Sequence, residues 1–507
     1  MNDDMRRPGA AAPPTIPARD KAVYIRGAWH TGCGDKPLEA VDPSSGKVFA
    51  DIAPASAKQV SLAGQAAAEA FSEWRSLSGA ARAGHLRGFS DGLRARKDEL
   101  VALQMRNNGK PRSEAMIDVD DAAAAFDYYA ALAADLDGRQ GGGFMLADPG
   151  LADPGLAGRT YFEPLGPAAL IVPWNFPLVT TAWKLAPALA AGCTAVLKPS
   201  EFTTLAELVY GDLADETGLP AGVLNILPGA GAIGAALVAD PGIAKVSFTG
   251  SNATGRQVMA GASERTLPLS LELGGKSPII VLDDADVEKA AEIAAAGIFF
   301  NCGQMCSATS RLLVADSIAD DVIAVLRAKT RRMVVDSPDN PHAEMGPITT
   351  EAQRAKILTY FLKARVDGLK CLEGGVARTE ADGFFVEPTL YLDVPFHHPI
   401  WREEIFGPVL AIARFSDEAE AVALANDTEF GLAAAIVGGD PDHAQRLARQ
   451  VVAGHIWINT PQIIFPNTSW GGFKASGIGR ELGPHGLAAY SAVKHLTVAT
   501  RQEAKHA

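Results

Sequence analysis

The sequence is poor in cysteine, and this scarcity excludes one way of holding a fold together. Five cysteines are scattered through 507 residues: Cys33, Cys193, Cys302, Cys306 and Cys371. A disulfide framework uses an even and dense set of cysteines in a short secreted chain. We therefore expect free thiols in a reducing compartment. A chain of this length is also long enough for two or three domains with a large core.

Positive charge is scarce as well. Lys and Arg number 46 against 59 Asp and Glu, which gives a net charge of −13. Nucleic acids and anionic membranes attract clustered Lys and Arg, so we expect neither as a partner. The excess of carboxylates instead favours a cationic small molecule as the ligand.

No apolar run has the character of a membrane helix or of a signal peptide. The uncharged stretch at residues 164–183 is long enough to span a membrane, but it is interrupted by four prolines and is predicted to be a buried strand and loop. Residues 1–20 are rich in Pro and Ala with mixed charge, and they are predicted to form a disordered leader. Together these absences predict a protein of the cytoplasm.

Strand and helix patterns alternate along most of the chain. Short alternating runs predict an antiparallel strand pair in residues 23–52, and Ala-rich periodicity predicts helices over residues 56–134. Strand-like runs with helical runs between them then recur at residues 167–172, 194–198, 222–227 and 244–248. This alternation is typical of a parallel sheet with crossover helices. A second alternation follows from residue 278, so the predicted fold class is α/β.

Residues 138–160 are rich in Gly and Pro and contain a tandem repeat, ADPGL-ADPGL. Two copies of five residues are too short for a solenoid, so we predict a loop or hairpin lengthened by duplication. Residues 488–500 are predicted to form a strand that returns to this region.

Two glycine-rich segments compete as a phosphate cradle. Gly229, Gly231 and Gly234 follow a predicted strand as G-x-G-x-x-G, but the dinucleotide fingerprint also needs an acid at the end of the next strand. That strand ends at Thr249, so we interpret these glycines as a tight turn near a cofactor. The better cradle is Gly250-Ser251, where a strand ends and a helix begins, although Ser251 is equally explained as a plain N-cap.

Cys306 lies in a setting that suits chemistry. Residues 299–311, FFNCGQMCSATSR, surround it with small polar side chains and an arginine. A reactive thiolate needs such a polar or electropositive, partly open setting, although a free cysteine is more often a small buried hydrophobe. Three further stretches accompany it: LELGGKSP at 271–278, PWNFP at 173–177 and EEIFGPV at 403–409. Together the four stretches resemble the aldehyde dehydrogenase superfamily, over about residues 23–497.

The resemblance implies a fold of three parts and an assembly. A Rossmann-like parallel-sheet domain for the cofactor would comprise residues 21–137 and 161–273, and an α/β catalytic domain residues 274–486. Residues 138–160 and 487–503 would form a small β oligomerisation element. The expected assembly is a homodimer or homotetramer.

The resemblance also implies a reaction, the oxidation of an aldehyde to an acid with hydrolysis. Cys306 would attack the carbonyl to form a thiohemiacetal, while the Asn175 amide and the Cys306 N–H stabilise the oxyanion. Glu272 would activate water against the thioester. Asn175 is alternatively a turn residue, and Glu272 a solvated charge. Lys184 is a candidate helper near Asn175.

The implied cofactor is NAD rather than NADP. Lys198 and Glu201 follow the second strand of the predicted sheet, where an acid binds the ribose 2′-hydroxyl and repels a 2′-phosphate. Each is alternatively a surface charge. The resemblance assigns six further cofactor positions: Trp174, Gly250, Ser251, Gly274, Glu404 and Phe406. Of the adjacent acids Glu403 and Glu404, Glu403 is the less favoured candidate for contacting the cofactor.

The local match is nearest to the betaine-aldehyde and aminoaldehyde branch, in residues 107–138, 302–314, 401–409 and 469–483. A quaternary ammonium binds in an aromatic cage by cation–π attraction. Trp183 and Trp470 match cage positions, and Phe176 and Phe300 stand where the branch often has Tyr and Trp. The alternative is an aromatic tunnel lining that suits any aldehyde.

Three acids and one histidine complete the substrate prediction. Glu114, Asp118 and Asp121 fall on one helical face, and in the branch such acids line the entrance; a solvated acidic face is the alternative. His455 occupies a position where a small residue admits trimethylammonium in plant members of the branch. It therefore disfavours betaine aldehyde and favours primary aminoaldehydes such as 4-aminobutanal.

Cys302 forms a C-x-x-x-C pair with Cys306, and on a helix the two would share a face. Zinc is not expected, because no further Cys or His pair completes a site. The hypothesis is an oxidative pairing of the two that silences the enzyme.

Four rival functions differ in the residues that they require. A semialdehyde dehydrogenase would need an arginine in the tunnel, and a CoA-acylating relative would lack Glu272. A non-catalytic binding member would have lost Cys306, Asn175 or Glu272. A cofactor-free thiol hydrolase would leave Lys198, Glu201 and Glu404 unexplained.

Overall fold

A computed structural model describes residues 21–136, 156–378 and 382–499. The predicted leader and most of the predicted loop, residues 138–155, lie outside these ranges.

The elements of the first half are four helices after two hairpins, followed by an alternating region. They are β1 (Val23–Ile25), β2 (Ala28–His30), β3 (Leu38–Asp42), β4 (Lys47–Ile52), α1 (Ala57–Ser76), α2 (Gly79–Ala95), α3 (Lys97–Asn108), α4 (Arg112–Asp135), β5 (Leu156–Pro164), β6 (Ala168–Ile171), α5 (Pro177–Ala191), β7 (Ala195–Lys198), α6 (Thr204–Glu207), α7 (Val209–Glu216), β8 (Leu224–Ile226), α8 (Gly231–Ala239), β9 (Lys245–Thr249), α9 (Asn252–Ser263) and β10 (Leu269–Glu272).

The second half continues the alternation. Its elements are β11 (Pro278–Val281), α10 (Val287–Phe299), β12 (Arg311–Ala315), α11 (Ala319–Arg332), α12 (Glu351–Val366), β13 (Lys370–Glu373), β14 (Thr389–Leu392), α13 (Pro399–Arg402), β15 (Val409–Phe415), α14 (Glu418–Asn426), β16 (Phe430–Gly431), β17 (Ala433–Val437), α15 (Pro441–Ala448), β18 (His455–Ile458), β19 (Phe473–Lys474), β20 (Gly477–Ile478), α16 (Gly483–Ala488) and β21 (Ser491–Ala499).

Residues 23–52 form two antiparallel pairs, β1 with β2 and β3 with β4, and not the single pair predicted. The reason is local. Arg26 and Gly27 both have positive φ angles, 55° and 71°, and close the first hairpin on their own. The helices over residues 56–134 are confirmed, and α1 begins with a capping box in which Ser56 and Gln59 satisfy each other's backbone N–H groups.

The first sheet places the site. Its eight strands run in the order β2-β1-β8-β7-β6-β9-β10-β20, and β6 to β10 are parallel, as predicted. From β6 the chain first winds toward β7 and β8 on one side, and later toward β9 and β10 on the other. A parallel sheet binds ligands at such a switch point, beyond the carboxyl ends of the strands. Residues 172–176 and 250–251 meet there.

The second sheet has the order β13-β14-β15-β12-β11-β17-β18, and only β13 is antiparallel to its neighbour. Every residue of β11, β12, β14 and β17 is buried, because helices cover both faces of a parallel sheet. Since β10 ends at Glu272 and β11 begins at Pro278, the carboxyl edge of the first sheet lies close to the amino edge of the second.

The tail strand β21 pairs with β5 over nine residues, from Ser491 opposite Pro164 to Ala499 opposite Leu156. This pairing confirms the predicted return of the tail. The pair stands apart from both sheets, and Val493, Leu496 and Val498 on it are 62%, 45% and 55% exposed. Within the three described ranges, no helix combines the length and the apolar character needed to cross a bilayer.

Candidate active site

A cavity of about 250 Å³ lies at the switch point of the first sheet. Its walls come from the carboxyl ends of β6, β9 and β10, from α4 and α5, and from the segments before β12 and β15. The predicted site residues that line it are Asp118, Asp121, Trp174, Asn175, Phe176, Trp183, Gly250, Ser251, Gly274, Phe300, Cys306, Glu404, Phe406 and Trp470. Residues from distant parts of the chain therefore share one wall, as the sequence predicts.

Cys306 is half-buried and follows a strained turn. Asn301, Cys302 and Gly303 have φ angles of 47°, 56° and 68°, a left-handed conformation that is costly for non-glycine residues. Hydrogen bonds hold it: Asn301 Nδ2 donates to the carbonyls of Asn175 (3.0 Å) and Gln304 (3.2 Å). The turn thus fixes the segment that carries Cys306 against the segment that carries Asn175.

The setting of Cys306 is polar and partly open, as predicted, but it is not electropositive. Partial burial raises the pKa of its thiol, and the carboxylates of Glu404 and Glu272 raise it further. Arg311 does not offset them, because its buried guanidinium donates to three backbone carbonyls, those of Lys276, Leu424 and Ala425. Because a thiol with a raised pKa must lose its proton before it attacks, the reaction of Cys306 requires a proton acceptor.

Asn175 is 5% exposed and lines the cavity together with Cys306. Its Nδ2 donates to the Gln304 carbonyl at 2.9 Å. An amide nitrogen carries two hydrogens, so one N–H remains for a developing oxyanion. The alternative of a plain turn residue does not explain an amide held at the wall beside the thiol.

Glu272 ends β10, is 3% exposed, and does not line the cavity. Neither carboxyl oxygen has a hydrogen-bond partner among the described residues, so the solvated-charge alternative is wrong. Burial raises its pKa well above the usual range; Glu481 raises it further, while Lys184 and Arg480 oppose the shift. A buried carboxyl without partners is costly and marks a functional group. Reaching the cavity requires this side chain to turn.

Lys184, predicted as a helper of Asn175, has an acid as its partner. Its fully buried ammonium pairs with the Glu481 carboxylate and not with Asn175. Glu481 also accepts from Ser247 Oγ at 3.2 Å and lines the cavity. Glu481 escaped the sequence analysis, and the only signal for it was an acid among small residues in the segment at 469–483.

The residues proposed to hold NAD fit that group. Lys198 Nζ and Glu201 Oε2 are 3.2 Å apart at the carboxyl end of β7, and neither residue lines the cavity itself. Thr249 lines the cavity, and its buried Oγ1 has no hydrogen-bond partner among the described residues, so this hydroxyl is available to a cofactor. Gly250 and Ser251 stand at the amino end of α9, where Ser251 also acts as the N-cap. The cavity lining includes neither Gly229 nor its neighbouring glycines.

The segment at 404–406 is held in an unusual conformation. Phe406 has a φ of 60°, rare for an aromatic residue. Gln353 Nε2 donates to the carbonyls of Ile405 and Phe406, both at 2.8 Å, and the Trp174 ring stands edge-on to Phe406 at 5.3 Å. The sequence analysis missed Gln353, which lies in no recognisable motif.

The Glu404 carboxyl packs closely against the backbone at Gly274 and Gly275. Gly275 N–H donates to Glu404 Oε1 at 3.0 Å, and a Cβ at Gly274 would collide with the Glu404 carboxyl. The neighbouring Glu403 instead accepts from Tyr360 Oη at 2.6 Å. The geometry therefore favours Glu404 over Glu403 as the acid at the cavity.

Two aromatic pairs line the cavity. Phe176 and Phe300 lie nearly parallel, with ring centroids 6.2 Å apart and an angle of 13°, and Trp183 and Trp470 are 5.9 Å apart at 56°. His455 does not line the cavity, and this corrects its predicted contact with the substrate. Its ring lies behind Trp470 at 5.6 Å, so it acts on the cavity only through that tryptophan.

The three acids of α4 have three different environments. Glu114 is buried and accepts the Asn301 N–H at 3.0 Å, so the prediction that it lines the entrance is wrong; burial raises its pKa to about 7. Asp118 lines the cavity but pairs with Lys110. Asp121 is the half-buried acid at the cavity wall, and burial together with Asp118 and Asp120 raises its pKa to about 6.

Cys302 does not share a face with Cys306, because residues 301–303 form a left-handed turn and not a regular helix. Its thiol is buried and donates to the Gly346 carbonyl at 3.1 Å. The oxidative pairing therefore loses its geometric basis. Across the described ranges, no three His, Cys, Asp or Glu side chains are grouped as a metal site would require.

Comparisons with known proteins identify the family. The sequence profile of the aldehyde dehydrogenase family matches residues 29–496. An aminoaldehyde dehydrogenase 1 of Pisum sativum is 43% identical over 498 residues, covering 96% of this chain and 97% of that protein. A betaine aldehyde dehydrogenase 1 of Oryza sativa is 43% identical over 494 residues, covering 96% of each.

Solved structures share the fold. A betaine aldehyde dehydrogenase from Staphylococcus aureus in complex with NAD⁺ superposes with a TM-score of 0.91 and 35% identity, covering 96% of this chain and 95% of that one. An NAD⁺ complex of an aldehyde dehydrogenase from Bacillus cereus has a TM-score of 0.90 and 35% identity, covering 95% and 97%.

Proposed function

The chain belongs to the aldehyde dehydrogenase family and is an NAD-dependent aldehyde dehydrogenase, and from this premise we propose that its substrate is a cationic aldehyde, an ω-aminoaldehyde or betaine aldehyde. The observation that carries the proposal is the cavity wall, where two aromatic pairs and Asp121 surround the approach to Cys306. Relatives named aminoaldehyde and betaine aldehyde dehydrogenases support it.

The proposed reaction assigns one task to each residue at the cavity. The Cys306 thiol loses its proton to water in the cavity and its sulfur bonds to the aldehyde carbon, while the Asn175 N–H and the Cys306 N–H receive the oxyanion. When bound, NAD accepts the hydride that leaves this carbon. Glu272 takes a proton from water, which attacks the resulting thioester; the acid leaves and the thiol is restored.

Charge and aromatic faces supply the selectivity. A carboxylate in a partly desolvated wall attracts an ammonium more strongly than it would in water, and aromatic faces add cation–π attraction. A semialdehyde dehydrogenase would need a cation facing the substrate. Among the described lining residues the only Lys or Arg is Lys356, and its Nζ donates to the Glu404 carbonyl at 3.0 Å.

The substrate proposal is tested by the initial rate of NADH formation with betaine aldehyde, 4-aminobutanal and uncharged butanal. We expect a cationic aldehyde to exceed butanal in kcat/KM by at least about tenfold, or about 1.4 kcal/mol. We also expect kcat/KM for 4-aminobutanal to exceed that for betaine aldehyde. His455 packs against Trp470 and limits its movement, and this disfavours the bulky trimethylammonium group. Equal or better turnover of butanal would reduce the aromatic pairs to general tunnel lining.

A pair of variants isolates the contribution of charge. Asp121→Asn is expected to lower the ratio of kcat/KM for 4-aminobutanal to that for butanal by about tenfold, since one cavity carboxylate is lost. Asp120→Asn is the matched control, because Asp120 is the exposed neighbour and does not line the cavity. Equal effects of the two variants would mean that only the general surface charge matters.

Preference for NAD is expected to depend on Glu201. Glu201→Gln removes the charge that repels a 2′-phosphate, so kcat/KM for NADP relative to NAD is expected to rise by at least about tenfold. Glu264→Gln, an exposed acid at the far end of α9, is the control and is expected to change this ratio less than about twofold. An unchanged ratio in Glu201→Gln would place the cofactor discrimination elsewhere.

We further propose that the chain forms a homodimer or homotetramer through the β5–β21 pair. The exposed apolar side chains of Val493, Leu496 and Val498 support this, because such patches commonly mark protein contacts. The molar mass in solution, measured by light scattering, tests the proposal, and a monomer at micromolar concentration would contradict it. A cytoplasmic location stays a prediction, which imaging of the tagged protein would check.

A further inference from the structure

We propose that Lys110 is a specificity-determining residue that limits how strongly the cavity prefers a cation. Its own ammonium group pairs with the Asp118 carboxylate and covers one face of the Phe176 ring. Asp121 and the Trp183–Trp470 pair then remain to recognise the ammonium group of the substrate. The inference rests on the proposed function, because it concerns the recognition of a cationic aldehyde in the same cavity.

Lys110 is a buried cation directly behind the cavity wall. It follows Gly109, whose φ of 85° ends α3 and turns the chain toward α4. Its side chain is 0% exposed, and its Nζ lies 3.0 Å from Asp118 Oδ2. The same Nζ lies 4.0 Å from the centroid of the Phe176 ring. One ammonium therefore contacts two residues that the cavity also uses.

Asp118 lines the cavity, but both of its carboxyl oxygens already have hydrogen-bond partners within the protein. One carboxyl oxygen accepts from Lys110, and the other accepts from the Val179 N–H at 3.0 Å. A carboxylate that is buried, paired with a cation and bound to a backbone N–H offers little net negative charge to a substrate. The acid predicted from sequence to attract the substrate is therefore already neutralised.

The attraction of the Phe176 ring for a second cation is lowered by Lys110. The attraction of an aromatic ring for a cation comes from the negative potential on its two faces, and Lys110 already occupies one face. Two positive charges on opposite faces of one ring repel each other through a medium of low dielectric constant. The Phe176–Phe300 pair is thus better suited to the methylene groups of the aldehyde.

The remaining recognition elements are those that Lys110 does not touch. Trp183 and Trp470 form the second aromatic pair, and tryptophan is the strongest cation–π partner. Asp121 is the other α4 carboxylate at the wall. The ammonium group of the substrate is therefore assigned to this side of the cavity.

The test compares two aldehydes that differ only in the terminal group, ammonium in 3-aminopropanal and methyl in butanal. For each variant, kcat/KM is measured with both, and their quotient is the charge preference. The variants are Lys110→Met, which keeps an unbranched apolar stem beside Phe176, and the double variant Lys110→Met/Asp118→Asn, which removes both buried charges together. Circular dichroism checks that each variant folds.

We expect Lys110→Met to raise the charge preference at least tenfold, because it releases Asp118 and the Phe176 face together. We expect the double variant to raise it at least threefold, because only the ring face is released. An unchanged preference in the double variant, or a fall, overturns the proposal, since Lys110 would then be structural or Asp118 would itself attract the substrate. If Lys110→Met fails to fold, the double variant decides.

The matched control is Lys97→Met/Asp120→Asn. This pair also joins α3 to α4, with Nζ and Oδ2 2.6 Å apart, but its side chains are 30% and 53% exposed. The charge preference is expected to stay within twofold. The test distinguishes failure of this proposal from failure of the proposed function. A wild-type enzyme without any cation preference contradicts the proposed function. A cation preference that appears in the double variant still supports the role of Lys110.

Discussion

Replacing Cys306 with alanine is expected to lower kcat/KM for aldehyde oxidation by at least about 10⁴-fold, equivalent to about 5 kcal/mol of lost transition-state stabilisation. Without the sulfur no thiohemiacetal forms, and hydride has no tetrahedral carbon to leave. The loss is expected in kcat, because Asn175, Trp183 and Asp121 still form the cavity around the substrate. NADH formation with saturating aldehyde and NAD measures it.

Cys302→Ala is the matched control for this variant. Cys302 lies four positions earlier in the chain, and its thiol donates to the Gly346 carbonyl behind the turn. Its kcat/KM is expected to stay within about threefold of wild type, since a weak S–H donor and a small volume are lost. If Cys302→Ala loses activity as Cys306→Ala does, or if Cys306→Ala retains more than about 1%, Cys306 is not the nucleophile.

Replacing Glu272 with glutamine is expected to lower steady-state turnover by about 10³-fold while the first turnover survives. The amide cannot take a proton from water, so the thioester accumulates on Cys306. One equivalent of NADH per subunit is then released as a burst. Rapid mixing with NAD and aldehyde measures the burst and the steady rate in one experiment.

The pH dependence gives an independent check on Glu272. Burial raises the pKa of this carboxyl well above its usual range, and only the ionised form is a base. Where hydrolysis limits turnover, kcat is therefore expected to rise with pH through the raised pKa and to level off above it. The Glu272→Gln variant is expected to lack this rise.

Two outcomes would contradict the assigned role. Loss of the burst together with the steady rate would mean that Glu272 acts before hydride transfer, for example on the thiol proton. A wild-type steady rate would mean that another group activates water. Glu403→Gln is the control, because its carboxylate contacts Tyr360 and does not line the cavity; both phases are expected to be retained.

The sequence by itself determined the order of the elements and predicted which residues react. The parallel strands β6 to β9 are predicted within two residues at each end, because buried strands appear as short apolar runs between helical patterns. Cys306, Asn175 and Glu404 are predicted as site residues from the short motifs in which they stand, and all three line the cavity. Such features depend on residues close together in the chain, so they can be recognised from the sequence alone.

The tertiary structure alone decided which charges are available to a ligand. Helical spacing correctly put Glu114, Asp118 and Asp121 on one face of α4, but what each acid contacts comes from other segments. Glu114 accepts from Asn301, 187 positions away, and Lys184 pairs with Glu481, 297 positions away. For the same reason the setting of Cys306 is not electropositive, because Arg311 lies five positions away in sequence but donates to distant carbonyls. Solvation and pairing set the energy of a charge, and both are properties of the packed chain.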